Sequence, residues 1–293
     1  MQPIQPYRHE GNLPSGQTVQ YAGPVQIRGN VESGGLIIAT GDIEIQGDVM
    51  NARVKSSGGS VTVRGVVKGV TTQVYAMQDV NARMVYNATI KSGRDIRVHD
   101  IAVDAHLVAR NTVQLDKDDG VIEGGEIEAG VDILSGVVGN SHEATTVVKL
   151  TNFRQSELYN RLAALQREIM EATRQMSELE KYIEVIRILG NKVISLPPEK
   201  KQDLALRVKR YNEFKAKIAE LEREAARIQE QNANEDELDR TIIVRKEIHP
   251  GVYVYIDRAK LLVQERFKRV ILYKKGIIII GDYDEFMKRK KYF

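Results

Sequence analysis

The amino-acid sequence predicts a mainly β protein with an α insertion. We expect a parallel β-helix (solenoid) of about seven turns, interrupted by a long antiparallel coiled-coil hairpin and completed by C-terminal strands. Three observations support this prediction. A short pattern of alternating aliphatic residues returns about every 18 residues in the first half of the chain. Apolar residues then follow spacings of four and three, which are typical of packed helices, and alternating apolar residues resume after residue 240.

The composition is that of a globular protein with one to three domains. Of the 293 residues, 42% are hydrophobic and 28% are charged. The chain contains no cysteine, which excludes a disulfide framework, thiol catalysis and cysteine-ligated metals and favours a reducing compartment. The longest aliphatic run of the C-terminal region, Ile277 to Ile280, is far shorter than the roughly 20 residues of a membrane span. The first residues contain no apolar signal segment, so we expect a cytoplasmic protein.

Glycine content and charge divide the chain into three regions, 1–150, 151–240 and 241–293. The first region holds 19 of the 23 glycines, whereas the second holds only Gly190. The second region carries 17 basic and 17 acidic residues, and the third carries 13 basic and 6 acidic residues. We expect a β-solenoid in the first region and a helical hairpin in the second. The third should contain strands that complete or cap the solenoid, followed by a basic tail.

The first region repeats a word that reads aliphatic, any residue, aliphatic, any residue, glycine. Clear copies begin at Val25, Ile43 and Val61, and weaker copies begin at Val80, Ile96, Val113 and Val131. Two more aliphatic positions follow in each copy, separated by small turn-forming residues, so each copy predicts three short strands and three corners. Such copies stack into a triangular coil with the aliphatic residues inside. A β-sandwich also uses short strands, but it gives no reason for one word to return at a fixed spacing.

The second region predicts two long helices that pack against each other. The first apolar stripe keeps spacings of four and three throughout, at Leu158, Leu162, Leu165, Ile169, Ala172, Met176, Leu179, Ile183 and Ile186. Asn152 and Gln155 resemble a capping box, and Gly190 is typical of a helix C-terminus. After Pro197 and Pro198, a second stripe follows at Leu204, Val208, Tyr211, Phe214, Ile218, Leu221, Ala225 and Ile228. We expect an antiparallel coiled coil that projects as an arm.

The second stripe has one irregular step, between Tyr211 and Phe214. Here a spacing of three residues stands where a spacing of four is expected. One of these aromatic side chains therefore lies off the seam, unless the helix adjusts locally and buries both rings. An exposed aromatic residue surrounded by polar residues is typical of a docking point. Tyr211 and Phe214 are therefore the candidate protein-interaction residues, and burial of both rings in the hairpin is the alternative.

The third region returns to strand patterns. Residues 241–248 and 252–256 alternate apolar and polar side chains on either side of Pro250-Gly251. Two further apolar runs, 270–273 and 277–280, flank Lys274-Lys275-Gly276, which predicts a β-hairpin turn. We expect the chain to leave the solenoid near residue 150, to rejoin it near residue 241 and to cap its open end.

Six stretches of the chain, in their order around the helical insertion, resemble the flagellar assembly protein A family. They are Gly41–Val49, Asn87–Ile96, Gly120–Gly130, Gly136–Gly139, Thr145–Leu150 and His249–Val252. The resemblance covers most of residues 20–280. It implies a β-solenoid interrupted by a coiled coil in a bacterial protein linked to flagellar placement, and it implies no reaction. Members usually have a further globular domain ahead of the solenoid, whereas about 20 residues precede the first predicted turn here.

We assign no catalytic, metal-binding or cofactor-binding residue, but three enzymatic alternatives stay open. His99, Asp104 and His106 could face outward together and bind a metal or act as a base. A solenoid with 18-residue turns could also be a hexapeptide-like acyltransferase with His99 or His106 as its base. The acidic residues that could pair as in glycoside cleavage are Asp118, Asp119, Glu123, Glu126 and Glu128.

The C-terminal basic tail offers a further candidate site. Lys288, Arg289, Lys290 and Lys291 lie beside aromatic residues and could bind nucleic acid or an anionic membrane surface, although a solvated terminus is the alternative. The leading hypothesis is a non-catalytic scaffold that binds other proteins, and further copies of itself as a homo-oligomer, through the solenoid and the helical arm. We expect no cofactor.

Overall fold

The computed structural model describes residues 4–140, 144–233 and 240–290. The chain divides into two compact units, the first formed by residues 1–152 with 237–293 and the second by residues 153–236. The first unit consists almost entirely of strands and the second of helices. The predicted fold class, a β-solenoid with a helical insertion and C-terminal strands, is confirmed.

The strands of the first unit that precede the insertion are β1 (Tyr7–His9), β2 (Thr18–Tyr21), β3 (Val25–Ile27), β4 (Leu36–Ala39), β5 (Ile43–Ile45), β6 (Val49–Met50), β7 (Arg53–Ser56), β8 (Val61–Lys68), β9 (Gln73–Ala76), β10 (Val80–Tyr86), β11 (Thr89–Ser92), β12 (Ile96–Ala109), β13 (Thr112–Leu115), β14 (Val121–Ala129), β15 (Asp132–Val138) and β16 (Thr146–Leu150). Those that follow it are β17 (Thr241–Ile248), β18 (Tyr253–Ile256), β19 (Ala259–Leu262), β20 (Phe267–Lys275) and β21 (Ile277–Asp282), and a helix, α3 (Tyr283–Lys290), comes last.

Three columns of inward-facing residues define the three faces of the solenoid. On the first face, parallel pairing aligns Tyr7, Val25, Ile43, Val61, Val80, Ile96, Val113, Ile133 and Ile242. The second face aligns Leu13, Val31, Val49, Val67, Val85, Ala102, Ile122, Val138 and Ile248. The third aligns Val19, Ile37, Val54, Val74, Ile90, Leu107, Ile127, Val148 and Val254. Apart from Tyr7, all these side chains are buried, and the coil makes about eight turns, against about seven predicted.

Backbone pairing adds one turn before the first predicted copy and moves the start of the seventh. Tyr7 pairs with Val25, so a turn precedes the first predicted copy although its strand lacks the aliphatic word. The seventh copy is in register at Ile133, because Val113 pairs with it; the predicted start at Val131 is therefore wrong by two residues. The shift arises because the sixth copy, which begins at Val113, is longer. Its residues 116–120 form an additional β-turn, in which the N–H of Gly120 donates to the carbonyl oxygen of Lys117 at 2.9 Å.

Small polar residues stabilise the corners by contacts that repeat from turn to turn. Oδ1 of Asn12 accepts the backbone N–H of Asn30 at 2.9 Å, and Oδ1 of Asn30 accepts that of Asp48 at 2.8 Å. At the corner between the second and third faces the backbone is left-handed, with φ of +46° at Asn51 and +50° at Asn87. Asparagine and aspartate adopt this conformation more easily than most other side-chain-bearing residues, which explains their place at these corners.

The C-terminal strands close the last turn of the solenoid, as the sequence predicted. β20 pairs antiparallel with β17, and β19 does so with β18, so the parallel edge is covered. β21 pairs antiparallel with β20 through a turn at Gly276, where φ is +77°. The short strand β19 and helix α3 were not predicted, and α3 contacts β17, β20 and β21.

The second unit consists of helix α1 (Phe153–Leu189), a short 3₁₀ segment (Gly190–Ser195) and helix α2 (Pro198–Ala233). Gly190 ends α1 with a φ of +49°, as expected for a glycine just after a helix. Pro198 begins α2, where its missing N–H costs no helical hydrogen bond. In the described parts of the chain, no helix is both long enough and apolar enough to cross a membrane.

The two long helices pack antiparallel along their predicted stripes. Leu165 on α1 packs with Leu221 and Ile228 on α2. Nη2 of Arg161 donates to Oε1 of Glu224 at 2.7 Å, so the beginning of α1 lies beside the end of α2. Every residue of both stripes is buried or partly buried.

Candidate protein-interaction surfaces

The three residues considered as a metal-binding or catalytic site, His99, Asp104 and His106, lie on different sides of the solenoid. All three belong to β12, which turns two corners. His99 is at the corner after the first face, Asp104 is at the corner between the second and third faces, and His106 is on the third face, where it pairs with Thr89. They are therefore not brought together as one site. His142, another histidine of the chain, lies outside the described residues.

His99 belongs instead to a cluster of charged residues around Asp100. Its ring nitrogens lie 3.8 Å from both Asp100 and Asp116. Lys117 contacts the carboxylate of Asp100, and Nε of Arg83 donates to it at 3.3 Å. Lys117, followed by Arg83, favours the ionised carboxylate and holds the pKa of Asp100 below its ordinary value. The ion pairs of this cluster link successive turns of the solenoid. The cluster is therefore explained by its contribution to the stability of the coil.

Four of the five acidic residues considered for glycoside cleavage have basic or polar partners, among them Asp118, which lies 3.3 Å from Arg245. Oε1 of Glu126 accepts a hydrogen bond from Nζ of Lys149 at 2.8 Å, and Oε1 of Glu128 accepts one from the Thr151 hydroxyl at 2.5 Å. Asp119 is exposed at the turn, and Glu123 accepts a hydrogen bond from Asn140. Among the residues that the structure describes, no group of three histidine, aspartate or glutamate side chains could hold a metal ion.

The sequence did not predict the role of Arg245, which lies on β17 after the helical insertion. Its guanidinium donates to the carbonyl oxygens of Leu115, Asp116 and Lys117, and it lies 3.3 Å from the carboxylate of Asp118. One side chain therefore links the β-turn at residues 116–120 to a strand about 130 positions later in the chain. No local pattern signals such a contact.

Tyr211 and Phe214, the candidate docking residues, are both partly buried on α2. They occupy successive positions of the stripe that faces α1, and neither is among the strongly exposed apolar residues. Their role in binding stays a prediction.

Among the residues of the helical unit whose side chains the structure describes, the two most exposed aliphatic ones lie at its turn, and the sequence did not predict them. Ile188, near the end of α1, and Ile194, in the 3₁₀ segment, are each 76% exposed, and Val185 is 45% exposed. We call these three residues the turn patch. Val185 and Ile188 stand outside the spacing of four and three, which is the signal that could have identified them. Exposed aliphatic residues concentrated at one place are typical of interaction sites.

The predicted basic tail is partly helical. Oδ1 of Asp282 accepts the backbone N–H of Glu285 at 2.8 Å and so caps α3, and Arg269 bonds Asp284 with Nε at 3.0 Å. Lys288 is exposed on this helix. The side chains of Arg289 and Lys290 and the whole of Lys291 lie outside the described residues, so binding by the tail stays a prediction.

A comparison with protein families gives one match. The model of the flagellar assembly protein A beta solenoid domain matches residues 14–278, which include strands β2 to β20 and the two long helices. Neither the curated proteins nor the solved structures give a significant match to this chain.

Proposed function

Because the chain belongs to the flagellar assembly protein A β-solenoid family, we propose that it acts in flagellar assembly as a non-catalytic scaffold that binds other proteins. The observation that carries this proposal is the turn patch. An aliphatic side chain that is exposed to water lacks the stabilisation of about 1.5–3 kcal/mol that full burial would provide. Two isoleucines exposed to 76% therefore make the turn a favourable place for a partner to bind.

The solenoid supports the same proposal in a different way. Its inward columns are filled with aliphatic side chains, so the interior of the coil is a packed core. Of the titratable groups considered as catalytic, His99 and His106 lie at separate places along β12, and Asp118 and Glu126 form ion pairs. In this proposal the β unit is a rigid platform, and the helical unit presents the binding residues.

The experiment compares two variants in a bacterium that lacks the chromosomal copy of this gene. The first carries Ile188→Asn and Ile194→Asn together, and the matched control carries Val70→Asn, at a solenoid residue that is 82% exposed. We expect the control to restore the number and position of flagella and the turn-patch variant to fail. Both proteins should unfold at the wild-type temperature, because surface substitutions cost little stability.

Equal restoration by both variants would remove the turn patch as the binding site. A wild-type gene that changes neither flagellar number nor position in the deletion strain would contradict the proposed process. Purified wild-type protein that binds acetyl-coenzyme A would contradict the non-catalytic assignment in favour of an acyltransferase.

A further inference from the structure

The outer surface of the second face carries an apolar column over five turns. The residue just before each inward-facing residue of this face points outward. From the fourth turn to the eighth these outward residues pair in register as Val66, Met84, Ile101, Val121 and Val137. Each is partly exposed, so the five side chains form a continuous aliphatic strip.

The fold itself does not require apolar residues at these positions. In the first three turns the same outward position is occupied by Asn12, Asn30 and Asp48, which accept the hydrogen bonds of the corner. The backbone pairing is parallel in both halves of the face. The change from polar to aliphatic residues midway along one face therefore calls for a reason outside the packing of the coil.

A second outward column beside the strip has opposite charges at its ends. It runs through Lys68, Tyr86, Val103 and Glu123, one residue per turn. Lys68 and Glu123 are three turns apart, about 14 Å at the usual spacing of hydrogen-bonded strands. Two apolar residues separate them, so the surface has a basic end, an apolar middle and an acidic end.

We propose that this second face binds the second face of another copy of the chain in an antiparallel dimer. A two-fold axis midway between the levels of Met84 and Ile101 reverses the order of the turns. It places Lys68 opposite Glu123 of the partner subunit, and Met84 opposite Ile101 of the partner subunit. Because the symmetry repeats every contact, both charged ends are matched at once.

The charges select this orientation over a parallel one. In a parallel dimer the two Lys68 side chains would lie at the same level, and so would the two Glu123 side chains, which is unfavourable. In the single chain Lys68 already has a nearby carboxylate, with its Nζ 3.7 Å from Asp48, and Glu123 is bonded by Asn140. These partners stand beside the column and leave Lys68 43% exposed.

The size of the surface predicts a weak dimer. The strip spans five turns, about 20 Å, and it is only as wide as one short strand. Stable interfaces bury about 800 Å² on each partner, so this face is at the low end of the range. We expect a dissociation constant in the micromolar range, so that assembly depends on local concentration. This dimer does not involve the turn patch, and the two proposals can fail independently.

The first experiment is sedimentation equilibrium of the full chain over a range of concentrations. We expect a monomer–dimer equilibrium that is weakened at least tenfold by Ile101→Lys. Val108→Lys is the matched control, because Val108 is a partly exposed outward residue of the same strand, on the third face. A monomer at all concentrations up to about 1 mM, or a dimer unchanged by Ile101→Lys, would overturn the proposal.

The second experiment tests the antiparallel orientation by charge exchange. Lys68→Glu alone and Glu123→Lys alone should each weaken the dimer, whereas the double variant should restore it, since each site again faces the opposite charge. Thermal unfolding of all three variants, measured in parallel, shows whether each is folded. A double variant that is folded and no stronger as a dimer than the single variants contradicts the pairing of Lys68 with Glu123.

Cross-linking gives an independent check, because the chain contains no cysteine of its own. Lys68→Cys protein mixed with Glu123→Cys protein should form a disulfide-linked dimer under mild oxidation, and each protein alone should form little. Efficient cross-linking of either protein with itself would identify a parallel dimer and reject the antiparallel one.

Discussion

The inward columns of the solenoid and the seam of the helical unit both repeat aliphatic residues, yet they bury them to different depths. In the solenoid, successive residues such as Val25, Ile43 and Val61 are fully buried turn after turn. On the helices, Leu165 is fully buried, but most other stripe residues are only partly buried. A solenoid residue has neighbours above, below and on the other two faces, whereas a seam residue has only the facing helix.

The same repeated residue types therefore give the solenoid and the helical unit different stabilities. The solenoid behaves as one continuous core in which a single defect affects the turns on both sides. The helices bury one stripe each, so their stability is limited and substitutions along the seam should have graded effects. Four predictions test this comparison.

The largest effect is expected from Ile43→Asp in the solenoid. An unpaired carboxylate would enter an aliphatic column at a cost of several kcal/mol, enough to unfold the β unit. Soluble yield and the β signal in circular dichroism measure it. The matched control is Glu44→Asp, at the outward neighbour, which should melt like the wild type. A soluble, cooperatively melting Ile43→Asp protein would show that the column tolerates charge and would break the comparison.

Leu165→Ala should destabilise the helical unit by about 2–4 kcal/mol, because it removes the most deeply buried residue of the seam. The loss should be seen in the helical signal during urea unfolding, with the β signal unchanged. Met170→Ala on the same helix, at a residue that is strongly exposed, is the control and should be neutral. A parallel loss of β signal would mean that the two units unfold as one.

Phe214→Ala should cost only about 1 kcal/mol, since the ring is partly buried. If Phe214 also contributes to docking, partner capture will fall by more than this small loss of stability explains. Leu206→Ala, at an exposed residue of the same helix, serves as the reference. A loss as large as that of Leu165→Ala, with partner capture intact, would place Phe214 in the seam and remove it as a docking residue.

The smallest effect is expected at the surface of the solenoid. Lys117→Met should raise the pKa of Asp100 toward its ordinary value near 3.8, because Lys117 is the main cause of its depression. Since the folded-state pKa is lowered, the stabilisation is present above the ordinary pKa and is lost as pH falls through the folded-state value. Titration of Asp100 by NMR measures its pKa in the wild type and in the Lys117→Met variant, with Lys55→Met as the control. An unchanged Asp100 pKa would assign the shift to Arg83.

Much of the fold could be predicted because each unit repeats a local pattern. The alternation of residues such as Val61 and Val63 identifies which side of a strand is buried, and the regular return of the word aligns the turns. The spacing from Leu158 to Ile186 identifies the seam of α1 in the same way. Candidate surfaces were harder to predict, since Tyr211 and Phe214 belong to the stripe, whereas the exposed Ile188 stands outside it.

By itself the sequence determined the three-faced coil, the helical insertion and the return of the chain to the strands, because each depends on a period that a few neighbouring residues express. Only the tertiary structure decided contacts between distant positions. Oδ1 of Asp132 accepts hydrogen bonds from both the backbone N–H and the hydroxyl of Thr241, 109 residues later. Arg245 donates to the carbonyl oxygen of Leu115, just before the β-turn at residues 116–120. No local period encodes such pairs, because which residues meet depends on how many residues each preceding turn contains.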